Sequence, residues 1–408
     1  MPDTPIDYDL IIAGGGMVGA ALACALGPAD LKIALLEGAP LVRIRPAVDF
    51  DLRVSAINRA SQRIFAAIGA WEGITAWRVS PFRDMRVWDA AGFGQIHFDS
   101  AALGEPLLGW IIENRVIQYA LLERAQQFST VELLCPAALN TAQRLEGGRW
   151  QVHLGDGRTL TTGLLIGADG AQSQVRELAG IATSGWGYGQ KAVVAPVRSA
   201  ESHQQTAWQR FLPSGPLAFL PLADGRCSIV WTTTSAQAEA LLALDEAAFA
   251  AALAEAFDQR LGAILEVGPR AAFPLRLQHA HAYVQTGVAL LGDAAHVVHP
   301  LAGQGVNLGL LDAAALAEVL LDALAAGREL GGLKTLRRYE RWRKGDNLLM
   351  LGLMDGFKRL FGSTLPPVRW LRNLGLNVTD AAGPLKHHIA RQAMGLVGDL
   401  PKSARAVG

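Results

Sequence analysis

The sequence predicts an α/β fold: a Rossmann-like parallel-sheet domain, an antiparallel-sheet domain inserted into it, and a helical C-terminal region. The first part follows from a glycine-rich turn between a buried strand and a small-residue helix near the N-terminus. The second follows from period-two alternation between Lys191 and Thr234, which is typical of half-buried antiparallel strands. The third follows from helical segments near the C-terminus that are interrupted by Pro366-Pro367 and Pro384.

Length and composition limit the possible functions. A chain of 408 residues is long enough for two or three domains of roughly 150 residues. Its 37 Lys and Arg balance 37 Asp and Glu, so no basic face is indicated and we expect no nucleic-acid partner. Charged residues make up 18%, below the ~25% of average soluble proteins. The surplus apolar surface is compatible with an oily ligand, an interface or a membrane contact.

The three cysteines give no sign of disulfides or metal binding. Cys24, Cys135 and Cys227 lie far apart without a CxxC pair, which excludes a disulfide framework or a zinc ribbon and indicates a reducing compartment. The histidines show no metal-ligand spacing either. The N-terminal segment has no positively charged stretch of a secretory signal, so we expect a cytoplasmic protein.

The N-terminal forty residues predict a βαβ unit. Tyr8–Ala13 is a short apolar strand, Gly14–Gly19 a turn, Ala20–Leu26 a small-residue helix, and Lys32–Leu36 a second buried strand. The uncharged stretch from Leu10 to Ala29 is long enough to cross a bilayer. Its glycines divide it into strand, turn and helix, so we predict no transmembrane segment.

The turn has the pattern G-x-G-x-x-G, with Met17 and Val18 between its last two glycines. Gly14 permits the tight turn, Gly16 lets the backbone approach a pyrophosphate, and Gly19 lets the helix pack on the strand. Glu37 ends the next strand, where a carboxylate can accept both ribose hydroxyls. The pattern predicts a dinucleotide site. The alternative is a turn that serves helix packing only, and the motif alone does not separate FAD from NAD.

Two later motifs distinguish FAD from NAD. Residues 166–176 place Asp169-Gly170 after a buried strand, and residues 288–296 place Gly292-Asp293 after another, followed by the Gly-rich loop 300–309. With these three ordered motifs the sequence resembles the class A flavoprotein monooxygenases, the single-component FAD aromatic hydroxylases. The resemblance implies FAD as cofactor, NAD(P)H as electron donor, O2 as co-substrate, and ring hydroxylation through a flavin hydroperoxide. It implies no catalytic acid or base, and we assign no catalytic side chain.

The resemblance also implies which residues contact the cofactor. Asp293 matches the family's ligand of the ribityl chain, and Asp169 lies where flavin and nicotinamide approach. Arg53 matches a flavin-adjacent arginine, and Arg115 the start of an FAD-contacting helix. The loop and the helix after it present backbone N–H groups and a positive dipole end to the flavin. The loop residues expected at the cofactor are Pro300, Gly303, Gln304, Gly305, Val306 and Asn307.

Within the family, residues 51–71, 208–222 and 300–309 resemble the ubiquinone-biosynthesis hydroxylases, and the tail 365–376 resembles one member of that branch in particular. Arg115 and His299 look more like sibling enzymes acting at other ring positions. The implied substrate is a polyprenylated phenol or quinol. The alternative reaction is FAD-dependent oxidation or reduction of an isoprenoid without oxygen insertion. A further alternative is an FAD-binding member of a quinone-biosynthesis complex without enzymatic activity.

Several aromatic residues alternate along the middle strands and are candidates for an apolar substrate pocket: Trp208, Phe211, Phe219 and Trp231, with His299 beside the flavin loop. The alternative for these aromatic residues is the ordinary core face of a half-buried sheet. His296 is a candidate for binding or orienting substrate, with a hydrogen-bonded structural role as its alternative.

The predicted domain bounds follow from these assignments. The FAD-binding domain comprises residues 1–80, 105–182 and 280–345, the antiparallel-sheet substrate domain 81–104 and 183–279, and the C-terminal helical region 346–408. The segment Leu348–Phe361 is rich in apolar residues and carries Lys358 and Arg359. It is a candidate for peripheral contact with the inner membrane or with another quinone-biosynthesis protein, or for packing against the flavin domain.

Overall fold

The N-terminal segment folds as the glycine motif predicts. A computed structural model describes residues 6–41, 50–298, 305–363 and 365–406. In it, β1 spans Tyr8–Ala13, α1 Met17–Leu26 and β2 Ile33–Leu36, and the two strands pair in parallel. The uncharged stretch is therefore a strand, a turn and a helix. None of the helices in the described ranges is long and apolar enough to cross a membrane.

The predicted parallel strands pair with one another in a single sheet. Its further strands are β8 Val131–Leu134, β9 Leu139–Arg144, β10 Trp150–Leu154, β11 Thr159–Gly167, β18 Val284–Gln285 and β19 Val288–Leu290. The strand order is β18-β19-β11-β1-β2-β8, with β10 beside β11 and β9 beside β10. The pairs from β19 through to β8 are parallel, and Ala13 lies opposite both Gly167 and Leu36. The three motifs and Glu37 therefore begin at the same carboxyl edge, where open α/β sheets bind their ligands.

The second sheet is largely antiparallel, as predicted. Its strands are β5 Asp84–Asp89, β6 Gln95–Asp99, β12 Thr183–Ser199, β13 Thr206–Leu212, β14 Gly215–Pro221, β15 Cys227–Thr234, β16 Ile264–Val267, β17 Ala271–Ala280 and β20 His296–Val297. The order is β20-β17-β12-β15-β14-β13-β5-β6, with β16 beside β12. Among the described residues of this sheet, only β13 and β5 pair in parallel. The domain bounds given above stay a prediction.

Two helices cover one face of this sheet. They are α6 Ser235–Ala243 and α7 Glu246–Ala256, and their side chains Leu241, Phe249 and Leu253 are buried against the strands. This core is separate from the larger one that packs around the parallel sheet. The α/β fold with an antiparallel second sheet is thus confirmed.

A small sheet and four helices connect the two layers. Its strands β3 Val54–Asn58 and β4 Ser80–Phe82 flank β7 Gly109–Glu113. The helices are α2 Arg59–Ala67, α3 Trp71–Thr75, α4 Asn114–Ala125 and α5 Gln174–Leu178. Residues 58–69 and 113–128, whose apolar residues have helical spacing in the sequence, contain α2 and α4.

The C-terminal part is helical, and its prolines lie where helices begin. The helices are α8 Gly305–Ala325, α9 Leu333–Gly362, α10 Pro366–Ala381 and α11 Gly383–Ala393. Pro366 and Pro384 occupy the first turns of α10 and α11, where a missing N–H has no helical partner to lose. Helix α8 packs against α1, which brings the third motif beside the glycine turn.

Candidate active site

The glycine turn is shaped by contacts that exclude side chains at two positions and leave space at a third. Gly14 has φ +110°, and a Cβ there would lie 2.3 Å from the Ala168 carbonyl oxygen. A Cβ on Gly19 would lie 2.0 Å from the carbonyl oxygen of Gly14. A Cβ on Gly16 would meet no atom of the described residues within 4 Å. The turn is therefore closed on the protein side and open in front of α1.

The open space faces the start of α1. Gly16 is the N-cap, no side chain caps the helix, and its first turn, which begins at Met17, holds no acidic residue. The first N–H groups and the positive end of the helix dipole are consequently available to an anion. Val18 packs on the other side, where a Cβ on Gly292 would lie 3.3 Å from its Cγ2. This geometry matches the pyrophosphate role predicted for the motif.

Glu37 is held beside the turn by a residue that the sequence analysis missed. Gln118 on α4 donates from Nε2 to the Gly15 carbonyl oxygen at 3.0 Å and to Glu37 Oε2 at 3.3 Å. Oε1 of Glu37 accepts from the backbone N–H of Ala39 at 2.8 Å. The carboxylate therefore has a fixed position at the end of β2. No local pattern marks Gln118, because its partners are 81 and 103 residues away along the chain.

Asp169 caps α5 and leaves one acceptor atom without a partner. Its Oδ2 accepts from the backbone N–H groups of Gln174 and Val175 at 2.7 and 3.0 Å. Its Oδ1 is buried and has no hydrogen-bond partner among the described residues. A buried acceptor of this kind ordinarily carries a cost unless a bound group or water satisfies it.

Asp293 lies in a short turn after β19 and is accessible to solvent although protein surrounds it. Its side chain is exposed, yet desolvation by the surrounding protein raises the pKa of its carboxyl. An accessible carboxyl that is desolvated must be surrounded by protein on most sides, as at the bottom of a cleft. Three positive or ionisable groups oppose this rise in pKa: His296, Arg53 and Arg276.

The structure brings Arg53 to Asp293 and pairs Arg115 with a buried acid. Arg53 is exposed and lies close enough for its charge to act on Asp293. The guanidinium of Arg115 donates to Glu113 Oε1 at 2.7 Å, and Arg78 donates to Glu113 Oε2 at 2.9 Å. Whether Arg115 reaches the cofactor stays a prediction. Arg276 on β17 lies outside every sequence motif, and only its spatial proximity identifies it.

The third motif is partly outside the described residues. His299, Pro300, Gly303 and Gln304 all lie there, so their predicted roles are not tested. Gly305 starts α8 and Val306 packs against the larger core. The side chain of Asn307 holds α8 to the segment around β3. It donates to the Ala56 carbonyl oxygen at 2.8 Å and accepts from the Ser61 hydroxyl at 2.7 Å. A cofactor contact of Asn307 stays a prediction.

His296 has the structural role that was its alternative. It is buried, and its Nε2 donates to Asp312 Oδ2 at 2.5 Å. Asp312 lies on α8 and was not singled out from the sequence, where it is one polar residue within an Ala/Leu-rich helix. Arg176, just after the second motif, is also buried and donates to the Ala294 carbonyl oxygen at 2.9 Å. It thereby links the second motif to the third.

Of the four aromatic candidates, Trp208, Phe219 and Trp231 lie in or against one cluster, whereas Phe211 lies in another. Each packs against a different ring: Trp208 on Trp88, Phe211 on Phe361, Phe219 on Phe257, and Trp231 on Phe249. Phe219 and Trp231 belong to the core between the sheet and its two helices. The alternative interpretation, an ordinary core face, describes these two. Strand alternation identifies two faces of a sheet but does not indicate which one faces a ligand.

These features together fit a bound FAD. The glycine turn offers an anion cradle, Glu37 a fixed carboxylate, and Asp169 an unpaired acceptor. Asp293 adds a carboxyl that is exposed in a cleft with positive charge around it. All four lie at the carboxyl edge of the parallel sheet, so a single extended dinucleotide can contact them in turn.

Comparison with known proteins gives the same result. The family described as "FAD binding domain" matches residues 7–345 of this chain. The chain is 39% identical to 3-demethoxyubiquinol 3-hydroxylase of Escherichia coli K12, over 95% of this chain and 98% of that protein. It is 41% identical to ubiquinone hydroxylase UbiL of Rhodospirillum rubrum, over 97% of this chain and 92% of that protein. It is 39% identical to human ubiquinone biosynthesis monooxygenase COQ6, mitochondrial, over 94% of this chain and 91% of that protein.

Solved structures share the fold at lower identity. p-Nitrophenol 4-monooxygenase PnpA from Pseudomonas putida superposes with a TM-score of 0.78 at 19% identity, covering 96% of this chain and 99% of that one. The chain belongs to the FAD binding domain family and is an FAD-dependent aromatic monooxygenase. Its nearly full-length relatives place it in the branch of ubiquinone-biosynthesis hydroxylases, as the resemblance implied. The resemblance of the tail 365–376 to the first relative named above stays a prediction.

Proposed function

We propose that this enzyme hydroxylates the ring of a polyprenylated phenol or benzoquinol in ubiquinone biosynthesis. The observation that carries the proposal is the identity of 39–41% to proteins named as ubiquinone hydroxylases, maintained over 94–97% of the chain. FAD, when bound, would carry two electrons from NAD(P)H to O2, so that one oxygen atom enters the ring and the other leaves as water.

The chain's own residues contribute binding and electrostatics. Arg53 and Arg276 bring positive charge close to Asp293, and the N-terminal end of α8 adds the positive end of its dipole. This field favours negative charge on a group bound at the carboxyl edge of the sheet. Since a flavin gains negative charge on reduction, these residues stabilise its reduced form.

The test uses labelled oxygen. Purified protein with FAD, NAD(P)H and a short-tailed quinol is incubated under 18O2, and we expect one labelled atom in the product ring. Formation of product without label would support the alternative, an FAD oxidoreductase of isoprenoids. If purified protein neither carries nor binds FAD, the proposal is wrong.

A deletion strain identifies the step. The intermediate that accumulates without the gene names the ring position, and wild-type protein is expected to restore quinone production. Asp293→Ala is expected not to restore it. Full complementation by Asp293→Ala would instead support a non-enzymatic role in a quinone-biosynthesis complex.

We infer further that the C-terminal helices bind an anionic membrane surface, and that the enzyme meets its substrate there. Of the twenty large hydrophobic side chains exposed in the described residues, twelve lie between Leu348 and Ile389. The most exposed of them are Leu349, Leu365, Trp370 and Leu371. Residues 347–393 carry six Lys and Arg against two Asp, although the whole chain is neutral. Apolar surface with surplus positive charge is the combination that anionic lipids bind.

The polar side of α10 is already occupied by the protein. Strand β6 lies at the edge of its sheet. Backbone N–H groups of two of its residues, and of the residue just before it, donate to side-chain oxygens of α10. The pairs are Gly94 to Asn373 at 2.5 Å, Gln95 to Asn377 at 3.0 Å, and His97 to Asp380 at 3.1 Å. The apolar side of α10 consequently points away from the sheet, which supports a lipid contact over packing against the flavin domain.

Vesicle flotation tests the contact. We expect the holoenzyme to float with phosphatidylglycerol vesicles and much less with phosphatidylcholine vesicles. Trp370→Glu with Leu371→Glu should abolish flotation, whereas the control Leu265→Glu should not, because Leu265 is equally exposed on β16. Wild-type protein that binds neither vesicle would refute the inference. Self-association in place of vesicle binding would assign the face to a second copy.

A further inference from the structure

A buried charged cluster lies behind the turn that carries Asp293. Asp312 on α8 is completely buried, and four donors surround its carboxylate. Oδ1 accepts from Arg343 Nε at 2.9 Å and from Asn347 Nδ2 at 3.1 Å, both on α9. Oδ2 accepts from His296 Nε2 at 2.5 Å and from the backbone N–H of Gly292 at 3.2 Å. All of these partners are fully or almost fully buried.

The carboxylate is ionised and holds both ends of one turn. Desolvation acts to raise the pKa of Asp312, yet the nearby His296 and Arg343 and the hydrogen bonds hold it at about 2. Gly292 immediately precedes Asp293, and His296 follows it by three residues. Asp312 thus ties the two flanks of Asp293 to α8, seven residues after that helix begins at Gly305.

We propose that Asp312 is a positioning residue for FAD, which fixes the turn carrying Asp293 at a set distance from the first turn of α8. Asp312 is too deeply buried to contact a ligand, so it acts through these two elements. A purely stabilising role explains the cluster less well, because buried ion pairs contribute little net stability compared with apolar packing. Polar residues that orient the direct contacts of a bound group typically change its affinity tenfold or more.

A similar buried cluster lies between β5 of the second sheet and α10, on elements that carry none of the three motifs. Asp89 on β5 accepts from Arg372 Nε at 2.7 Å and from Asn373 Nδ2 at 2.9 Å, both on α10. Its side chain and that of Arg372 are as buried as the pair of Asp312 and Arg343. Both clusters contain an Asp, an Arg and an Asn, and the cluster of Asp312 also contains His296. Asp89 therefore serves as a control for the loss of a buried carboxylate.

The experiment measures FAD affinity and stability separately. Apoproteins are titrated with FAD, and urea midpoints are recorded with and without the cofactor. We expect Asp312→Asn to raise the Kd for FAD at least tenfold, and Asp89→Asn to leave it within twofold although both lower the apoprotein midpoint. His296→Ala keeps the Asp312–Arg343 pair and should raise the Kd about tenfold. His296→Gln restores a donor and should recover most of the affinity.

Three results would overturn the proposal. One is equal loss of FAD affinity in Asp312→Asn and Asp89→Asn, which would assign both carboxylates to general stability. Another is wild-type FAD affinity in His296→Ala, which remains decisive if Asp312→Asn does not fold. The third is failure of His296→Gln to recover affinity. None of these readouts depends on the substrate, so they are independent of the proposed hydroxylation.

Discussion

Alanine at Gly16 and alanine at Gly19 are expected to have opposite effects, although the two glycines lie in the same turn. A Cβ on Gly19 would lie 2.0 Å from the Gly14 carbonyl oxygen and 3.1 Å from the Cβ of Ala168, where ordinary contacts begin near 3.4 Å. Neither neighbour is a flexible side chain, so the backbone itself must move. A Cβ on Gly16 meets nothing within 4 Å, and its φ of −68° suits any residue.

The magnitudes follow from these contacts. Overpacking of a rigid site costs ~1–3 kcal/mol, so Gly19→Ala should lower the free energy of unfolding of the apoprotein by about 2 kcal/mol. At Gly16, alanine restricts the unfolded chain, which stabilises by ~0.4–1 kcal/mol, but it is a poorer N-cap by a similar amount. The net change should be within about 0.5 kcal/mol. The added methyl group instead occupies the space assigned to the pyrophosphate, and the Kd for FAD should rise at least tenfold, or ~1.4 kcal/mol.

Urea unfolding of the apoproteins measures the first quantity, and quenching of flavin fluorescence on binding measures the second. Gly352→Ala is the control, because Gly352 also has open space around its Cβ position but lies on α9. It should leave the Kd for FAD unchanged and raise the free energy of unfolding by up to ~1 kcal/mol, because alanine is the better helix former. The reasoning is refuted if Gly16→Ala binds FAD within twofold of wild type, or if it unfolds as easily as Gly19→Ala.

Three further predictions concern side chains. Gln118→Ala removes both hydrogen bonds that connect α4 to Gly15 and Glu37, so the Kd for FAD should rise about fivefold, or ~1 kcal/mol, with an unchanged urea midpoint; an unchanged Kd would contradict the assigned role. Arg372→Ala leaves Asp89 buried without a counter-charge and should cost ~3–5 kcal/mol and open residues 365–393 to proteolysis. The control Arg158→Ala, at the surface pair with Asp156, should change neither. The folded-state pKa of Asp312, about 2, lies below its unfolded value of ~3.9. Its stabilising contribution is therefore complete above about pH 4 and is lost as the pH falls towards 2. Between pH 5 and pH 3, urea titrations should show a loss of about 1 kcal/mol in wild type that Asp312→Asn lacks.

The parts of the site that were predictable are those with a local signal. The G-x-G-x-x-G pattern is such a signal, because glycine is required where the backbone leaves no room for a Cβ. The structure shows this crowding at Gly14 and Gly19. Asp169 and Asp293 follow buried strands directly, and parallel pairing brings the ends of such strands to one edge. Strand pairing therefore assembles residues that lie more than 120 positions apart along the chain.

The parts that were not predictable depend on contacts between distant segments. Asp312 is a single acid in an Ala/Leu-rich helix, and its significance follows from donors 16 to 35 residues away on other elements. Gln118 and Arg276 carry no pattern at all. The aromatic residues of the middle sheet illustrate a different difficulty. Period-two alternation is the same whichever face binds the ligand, so Phe219 and Trp231 gave the signal expected of either face.

Helix α10 shows the same ambiguity with a consequence for function. Its sequence is amphipathic, and a helix of that kind normally buries its apolar side. Here the buried side is polar: Arg372 and Asn373 bond to Asp89, and Asn377 bonds to β6. Directional hydrogen bonds and an ion pair hold the helix, and Leu376 packs against the cluster around Ile96, so most of the helix's apolar side stays exposed. The protein can therefore keep the same fold on and off a lipid surface, with Trp370 and Leu371 available for contact in both states.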